Sequence, residues 1–127
     1  ALKNLNLKKA LIVHSQDGLD EISPYANTDI VELTDGKIKE SILNPKDLNI
    51  KADKFENIVG KDPGHNAEKM KEIFKGKDND FSVAVCLNAA AGLVVAEKSK
   101  SFKEGYQQLR KHILSGNVIN HISKLMK

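Results

Sequence analysis

Hydrophobic positions along this chain change rhythm near residue 60. Short apolar runs separated by polar turns come before it, and apolar residues at three- and four-residue steps come after it. Lys9 to His14 (KALIVH) is a nearly continuous apolar run ahead of a polar loop, which predicts a buried strand. Thr28 to Leu33 and Lys37 to Leu43 flank Asp35-Gly36, a dipeptide that tolerates positive φ at both turn positions, so they predict an antiparallel hairpin. Asn44-Pro45 predicts a capped helical turn, because the amide oxygen accepts a backbone N–H and proline loses nothing at the first helical position. Lys51 to Gly60 follows neither period and reads mostly as loop.

Asp62-Pro63 then opens a helix on which Ala67, Met70, Ile73 and Phe74 share a face until Gly76 stops it. Asn79 or Asp80 starts a second, largely apolar helix ending near Lys98. Ser101, Phe102, Lys103 and Glu104 form an S-x-x-E capping box for a third helix reaching about Ser115. Gly116 and Asn117 separate it from a short amphipathic helix carrying Val118, Ile119, Ile122, Leu125 and Met126. Three strands facing four helices make a poor self-contained sheet, so the pattern predicts that part of a larger α/β domain is missing. The opening, ALKNLNLKKA, lacks an initiator Met and reads as the tail of a helix whose beginning is also missing.

A length of 127 residues suits one domain, and a 40% hydrophobic share with three Pro and eight Gly is globular composition, not that of a disordered chain. Twenty basic residues against 17 acidic ones give a net charge of +3, spread along the chain; this argues against a nucleic-acid binder. A basic stripe of Lys98, Lys100, Lys103, Arg110 and Lys111 reads first as a solvated helix face. The longest apolar run, Val83 to Ala96, falls short of the roughly 20 residues that span a bilayer and reads as a buried helix. Cys86 is the only cysteine, so no intrachain disulfide forms; it reads as a small buried hydrophobe in a cytoplasmic protein.

The candidate chemistry lies directly after the first strand, in VHSQDGLDEIS, where Asp17, Asp20 and Glu21 fall within five positions. A strand's carboxyl end is where open α/β sheets place ligands. Adjacent carboxylates on a turn can converge on one point, and hard oxygen ligands suit Mg²⁺, which fills its octahedron with water and phosphate oxygens. The alternative is a solvated loop in which Asp20 or Glu21 only turns the chain. His14, His65, His112 and His121 lack zinc-site spacing. His14, at the end of the strand, can bond the loop backbone or take part in chemistry. Asn88, polar within the apolar helix, is expected to bond a neighbouring loop and hold it in place.

Several segments in order carry a resemblance: ALIVHSQDGLDEIS, VELTDGKIKESILNPKDL, NAEKMKEIFKGK and LNAAAGLVVAEKSKSFKEGYQQLRKHILSGN. Together they resemble the carboxyl-terminal part of the anthranilate phosphoribosyltransferase family over essentially the whole chain. The resemblance implies the carboxyl-terminal portion of a mixed-sheet α/β domain of the nucleoside phosphorylase/phosphoribosyltransferase type. It also implies transfer of phosphoribosyl from phosphoribosyl pyrophosphate (PRPP) to anthranilate in tryptophan biosynthesis, with Mg²⁺. In that family an adjacent Asp and Glu hold magnesium on PRPP, and these map onto Asp20 and Glu21.

Members of this family run much longer, with an amino-terminal helical domain and a Gly-Thr-Gly-Gly-Asp loop that cradles pyrophosphate, neither present in residues 1–127. No catalytic or anthranilate-binding residue is therefore assignable here, and the chain alone is expected to be inactive. Gly60-Lys61-Asp62 stands where relatives commonly carry Gly-Gly-Asp, a departure that could alter this loop. The partners expected are PRPP and anthranilate in the complete enzyme, with self-association or docking of the missing amino-terminal part through an exposed apolar edge, and no membrane. A non-catalytic paralogue that binds nucleic acid or protein is the alternative from a different class; a nucleoside phosphorylase is another, less favoured by the acidic loop and the Asn88 helix.

Overall fold

Asp35 and Gly36 both adopt positive φ, 48° and 75°, and close the expected hairpin. In this computed structural model, which describes residues 1–52 and 54–125, the hairpin joins β2 (Thr28–Thr34) to β3 (Lys37–Leu43). β1 (Lys9–Ser15) pairs antiparallel with the other side of β2, so the sheet order is β1-β2-β3. Directly paired residues share a face, so Val13, Ile30 and Ser41 lie on one side and Ile12, Val31 and Glu40 on the other.

Four helices follow: α1 (Pro63–Phe74), α2 (Asp80–Val95), α3 (Phe102–Leu114) and α4 (Val118–Leu125). Each start has a local cause. The Asp62 carboxylate accepts the His65 N–H at 3.0 Å with Pro63 in the first turn, and Asn79 and Ser82 cap α2 reciprocally. The Ser101 hydroxyl accepts the Glu104 N–H at 3.2 Å, but the Glu104 carboxylate reaches back to the Lys100 N–H at 3.0 Å, one residue beyond the expected box partner. Between α3 and α4, Gly116 sits at φ 70°, where a Cβ would lie 2.9 Å from the Lys75 carbonyl oxygen; the close approach of two helix ends requires glycine.

The core is built around α2. Cys86, Leu87 and Ala90 are buried with Ile73 of α1, Tyr106 and Ile113 of α3, and Ile22 of the loop after β1. Arg110, on the buried side of α3, donates to Ser82 Oγ at 2.8 Å and to the Asp78 carboxylate, tying α3 to the start of α2.

Several expectations need correction. β1 is not fully buried: Ile12 is 54% exposed, because the described residues cover its outer face only in part. α2 stops at Val95, short of Lys98, since Glu97 turns left-handed (φ 57°) and the Glu97 and Lys98 N–H groups close back on Val94 and Leu93. The opening forms only a single 3₁₀ turn, Leu2–Leu5, and the region read as loop contains another, Phe55–Ile58. Asn44 caps the 3₁₀ turn Pro45–Leu48 as expected. Met126 lies outside the described residues. Among them, no helix is long and apolar enough to cross a membrane.

Candidate functional site

β1 delivers the chain into a loop whose three acidic residues take different positions. Asp17, though exposed, bonds within its own loop: one oxygen accepts the Leu19 N–H at 3.3 Å and the other accepts the Ser23 hydroxyl, while Ser23 Oγ accepts the Tyr25 N–H at 3.0 Å. Partial burial raises the Asp17 carboxyl, but donors on Ser23, Ser15 and Leu19 outweigh it and hold it below its ordinary value of 3.8. The turning role that the sequence left open for Asp20 or Glu21 thus belongs to Asp17. Asp20 and Glu21 are both exposed, with no hydrogen bond to their carboxylates among the described residues.

The next residue is fastened to α2. Asn88 Oδ1 accepts the Ile22 N–H at 2.9 Å, and Asn88 Nδ2 donates to the Ile22 carbonyl at 3.0 Å and to the Ala84 carbonyl at 3.0 Å. One amide therefore satisfies both backbone groups of a buried residue immediately after Glu21, as expected of a polar residue on an apolar helix.

Asp20 and Glu21 line a cleft of about 400 Å³ whose other walls are Ile58 and Gly60, Asn66 and Met70 of α1, and Phe81, Ala84 and Val85 of α2. The far wall is fastened in the same manner: the Asn66 side chain accepts the Lys61 N–H at 2.9 Å and donates to the Lys61 carbonyl at 3.3 Å. Lys61 is not among the residues with positive φ, so the backbone there carries its side chain without strain. Asp80, at the start of α2, accepts from Tyr25 Oη at 3.0 Å and Asn57 Nδ2 at 2.8 Å, joining the acidic loop to the segment before this wall. Larger clefts lie elsewhere, one between β2 and the α2–α3 turn, one beside Asn44 and Pro45, and one along Ile30 of β2 and Ser41 of β3; none of these three is lined by Asp20 or Glu21.

Residues 1–119 match the glycosyl transferase family, a/b domain. The chain belongs to this glycosyl transferase family. It is 58% identical over 125 residues to an anthranilate phosphoribosyltransferase of Pelagibacter ubique (strain HTCC1062), covering 98% of this chain and 38% of that protein. Among solved structures, anthranilate phosphoribosyltransferase from Thermus thermophilus superposes with a TM-score of 0.85 at 30% identity, covering 98% of this chain and 36% of that one. The Saccharomyces cerevisiae enzyme in complex with PRPP and Mg superposes with a TM-score of 0.75 at 25% identity, covering 87% and 32%. This glycosyl transferase chain thus spans well under half the length of the relatives it matches, and its order of three strands then four helices fits the fold expected from sequence.

His14 is exposed and makes no hydrogen bond with its ring among the described residues, and those residues contain no group of three His, Cys, Asp or Glu placed to hold a metal. Burial pushes the Cys86 thiol up, which suits a core residue and not a nucleophile. Arg110 leaves the basic stripe for its bonds to Asp78 and Ser82; its place on the face of Tyr106 and Ile113 was the available signal. Asn66 had no such signal, because nothing in its spacing marks a loop clamp.

Asp17 gives a pH prediction. A carboxyl held below its ordinary value adds stability above pH 3.8, and that contribution disappears as pH falls through the lowered value. Asp17→Asn should therefore lower the urea midpoint at neutral pH, with the gap from the parent closing in acid. A gap unchanged down to about pH 2 would show that the loop does not use the charge.

Proposed function

We propose that the chain is the carboxyl-terminal portion of an anthranilate phosphoribosyltransferase, joining anthranilate to PRPP to give N-(5-phosphoribosyl)anthranilate and pyrophosphate in tryptophan biosynthesis. The observation that carries the reading is the state of Asp20 and Glu21: two adjacent, exposed carboxylates without protein donors among the described residues, at the rim of a cleft, beside a residue fastened at both backbone groups. Relatives of that name, one of them solved with PRPP and Mg, support it. The amino-terminal helical domain and the pyrophosphate cradle would lie in the part of a family-length protein beyond these residues. A buried thiol at Cys86 is in keeping with a cytoplasmic location.

The donor set fits magnesium. Two carboxylates, with water and substrate oxygens completing the shell, are what Mg²⁺ takes, and Asp20 and Glu21 would hold it. When bound, the ion offsets negative charge growing on pyrophosphate as its bond to the ribose loosens. The chain's own contribution is position. Asn88 fixes Ile22 on one side of the pair and Asp17 bonds Ser23, so the carboxylates are presented from a loop ordered before substrate arrives.

With PRPP, anthranilate and Mg²⁺, the purified 127-residue chain should form no product, since one metal-binding loop without a phosphate cradle cannot orient both reactants. In a family-length protein carrying this sequence, Asp20→Asn with Glu21→Gln should lower kcat/KM by at least about 100-fold. Turnover by the chain alone, or an unimpaired double variant, would sink the reading.

A further inference from the structure

Two walls of the acidic cleft meet at one carboxylate. Opposite the loop that carries Asp20 and Glu21 runs a strap, residues 54–61, which brings Ile58 and Gly60 to the cleft. Asn66 clamps the last residue of the strap, Lys61, at both backbone groups. At its other end Asp80 Oδ2 accepts the Lys54 N–H at 3.4 Å and Asn57 Nδ2 at 2.8 Å. The same oxygen lies 3.0 Å from Tyr25 Oη, and Tyr25 follows Glu21 by four residues. The Tyr25 hydroxyl has one proton and two acceptors in reach, Asp80 Oδ2 and the Lys54 carbonyl, and either bond ties the loop to the strap. The Tyr25 and Phe55 rings meet edge to face with centroids 6.1 Å apart, which adds a second contact across the same seam.

Burial does little to hold the strap. Val59 is 52% exposed and Phe55 36%, so its place depends on these bonds. Asp80 is a firm base for them. Asn79 and Ser82 cap the turn of α2 in which it lies, and Arg110 binds Ser82 Oγ from α3. Asn88, which holds Ile22, stands on the same helix about 12 Å further along its axis. One rigid helix therefore grips the acidic loop at two points and the strap at one.

We infer that Asp80 and Tyr25 are positioning residues for the proposed magnesium and PRPP site, fixing the span between the paired carboxylates and the strap across the cleft. The inference deepens the transferase reading and rests on it. Neither residue lines the cleft, so each acts through the backbone it holds. A strap already in place costs no ordering when substrate binds, whereas a loosened one must be ordered at that moment. Loss of the tie should therefore appear in KM more than in kcat.

The first measurement needs no substrate. In the 127-residue chain without metal or PRPP, the ratio of tryptic cleavage after Lys54 to cleavage after Lys111 in α3 should rise at least about fivefold in Tyr25→Phe and in Asp80→Ala. Lower global stability alone opens both sites and does not raise that ratio. In a family-length protein carrying this sequence, each variant should raise the KM for PRPP at least about fivefold while kcat stays within about threefold. The double variant should fall short of the product of the single effects, since both remove one link. Tyr25→Phe deletes a single hydroxyl and keeps the ring against Phe55, so it decides the matter if Asp80→Ala folds poorly. A role confined to folding would lower the amount of active protein and leave KM in place. An unchanged cleavage ratio overturns the inference whatever the chain catalyses. So does a raised ratio with an unchanged KM where Asp20→Asn with Glu21→Gln is impaired, a result that leaves the transferase reading standing. If that carboxylate double variant is itself unimpaired, the transferase reading fails and takes this inference with it.

Discussion

Replacing Asn88 with alanine should cost the chain about 2–4 kcal/mol of unfolding free energy, read as a lower urea midpoint with an unchanged slope. The size follows from what is stranded. Ile22 is buried, its N–H and carbonyl both end on the Asn88 amide, and the Ala84 carbonyl shares the same donor. Each buried backbone group left without a partner costs roughly 1–3 kcal/mol, and alanine leaves two of them on one residue. Asn88→Asp separates the parts of the clamp. A carboxylate still accepts the Ile22 N–H but cannot donate, so it sets negative charge against the Ile22 and Ala84 carbonyls. It should match or exceed the alanine loss at neutral pH. The facing carbonyls raise that carboxyl's folded pKa and protonation restores a donor, so the loss should shrink relative to alanine as pH falls towards about 4, the ordinary value in the unfolded chain. A cost under about 1 kcal/mol for alanine would mean that water replaces the amide and that the loop does not depend on α2.

This clamp was legible because the signal was local: one polar residue in the apolar body of a helix, beyond its capped first turn, has a buried group to satisfy. The hairpin, the caps at Asn44 and Asp62, and the helix faces were legible on the same grounds, since turn and cap chemistry act within four residues. Asp17 could not be told from Asp20 and Glu21, because what separates them is a bond to Ser23, six residues away, which depends on how the loop closes. The reciprocal cap of Asn79 with Ser82 was missed because Ser stands where the familiar pattern has Glu or Gln, yet its hydroxyl returns to the Asn79 N–H. β1 was misjudged for an instructive reason. Its composition is that of a strand covered on both sides, while the described residues leave Ile12 exposed on the outer one.

Leu87→Ala should be at least as costly, about 2–5 kcal/mol. Leu87 is fully buried in the cluster that holds Ile22, Ile73, Tyr106 and Ile113, so truncation removes packing toward the acidic loop, α1 and α3 at once. Partial relaxation leaves a cavity whose size sets where in that range the loss falls. Leu87→Met, nearly equal in volume, should lose less than about 1.5 kcal/mol, which distinguishes lost packing from disturbance of the helix itself. The two predictions also meet in one residue. Ile22 packs in the Leu87 cluster with its side chain and hangs from Asn88 by its backbone, so each substitution weakens the same docking of loop to helix. Once either support is gone, less remains for the other to lose. The double variant should therefore fall short of the summed losses by about 0.5 kcal/mol or more, as neighbours sharing a partner do. Strict additivity would mean that the amide and the core beneath it support the loop carrying Asp20 and Glu21 independently.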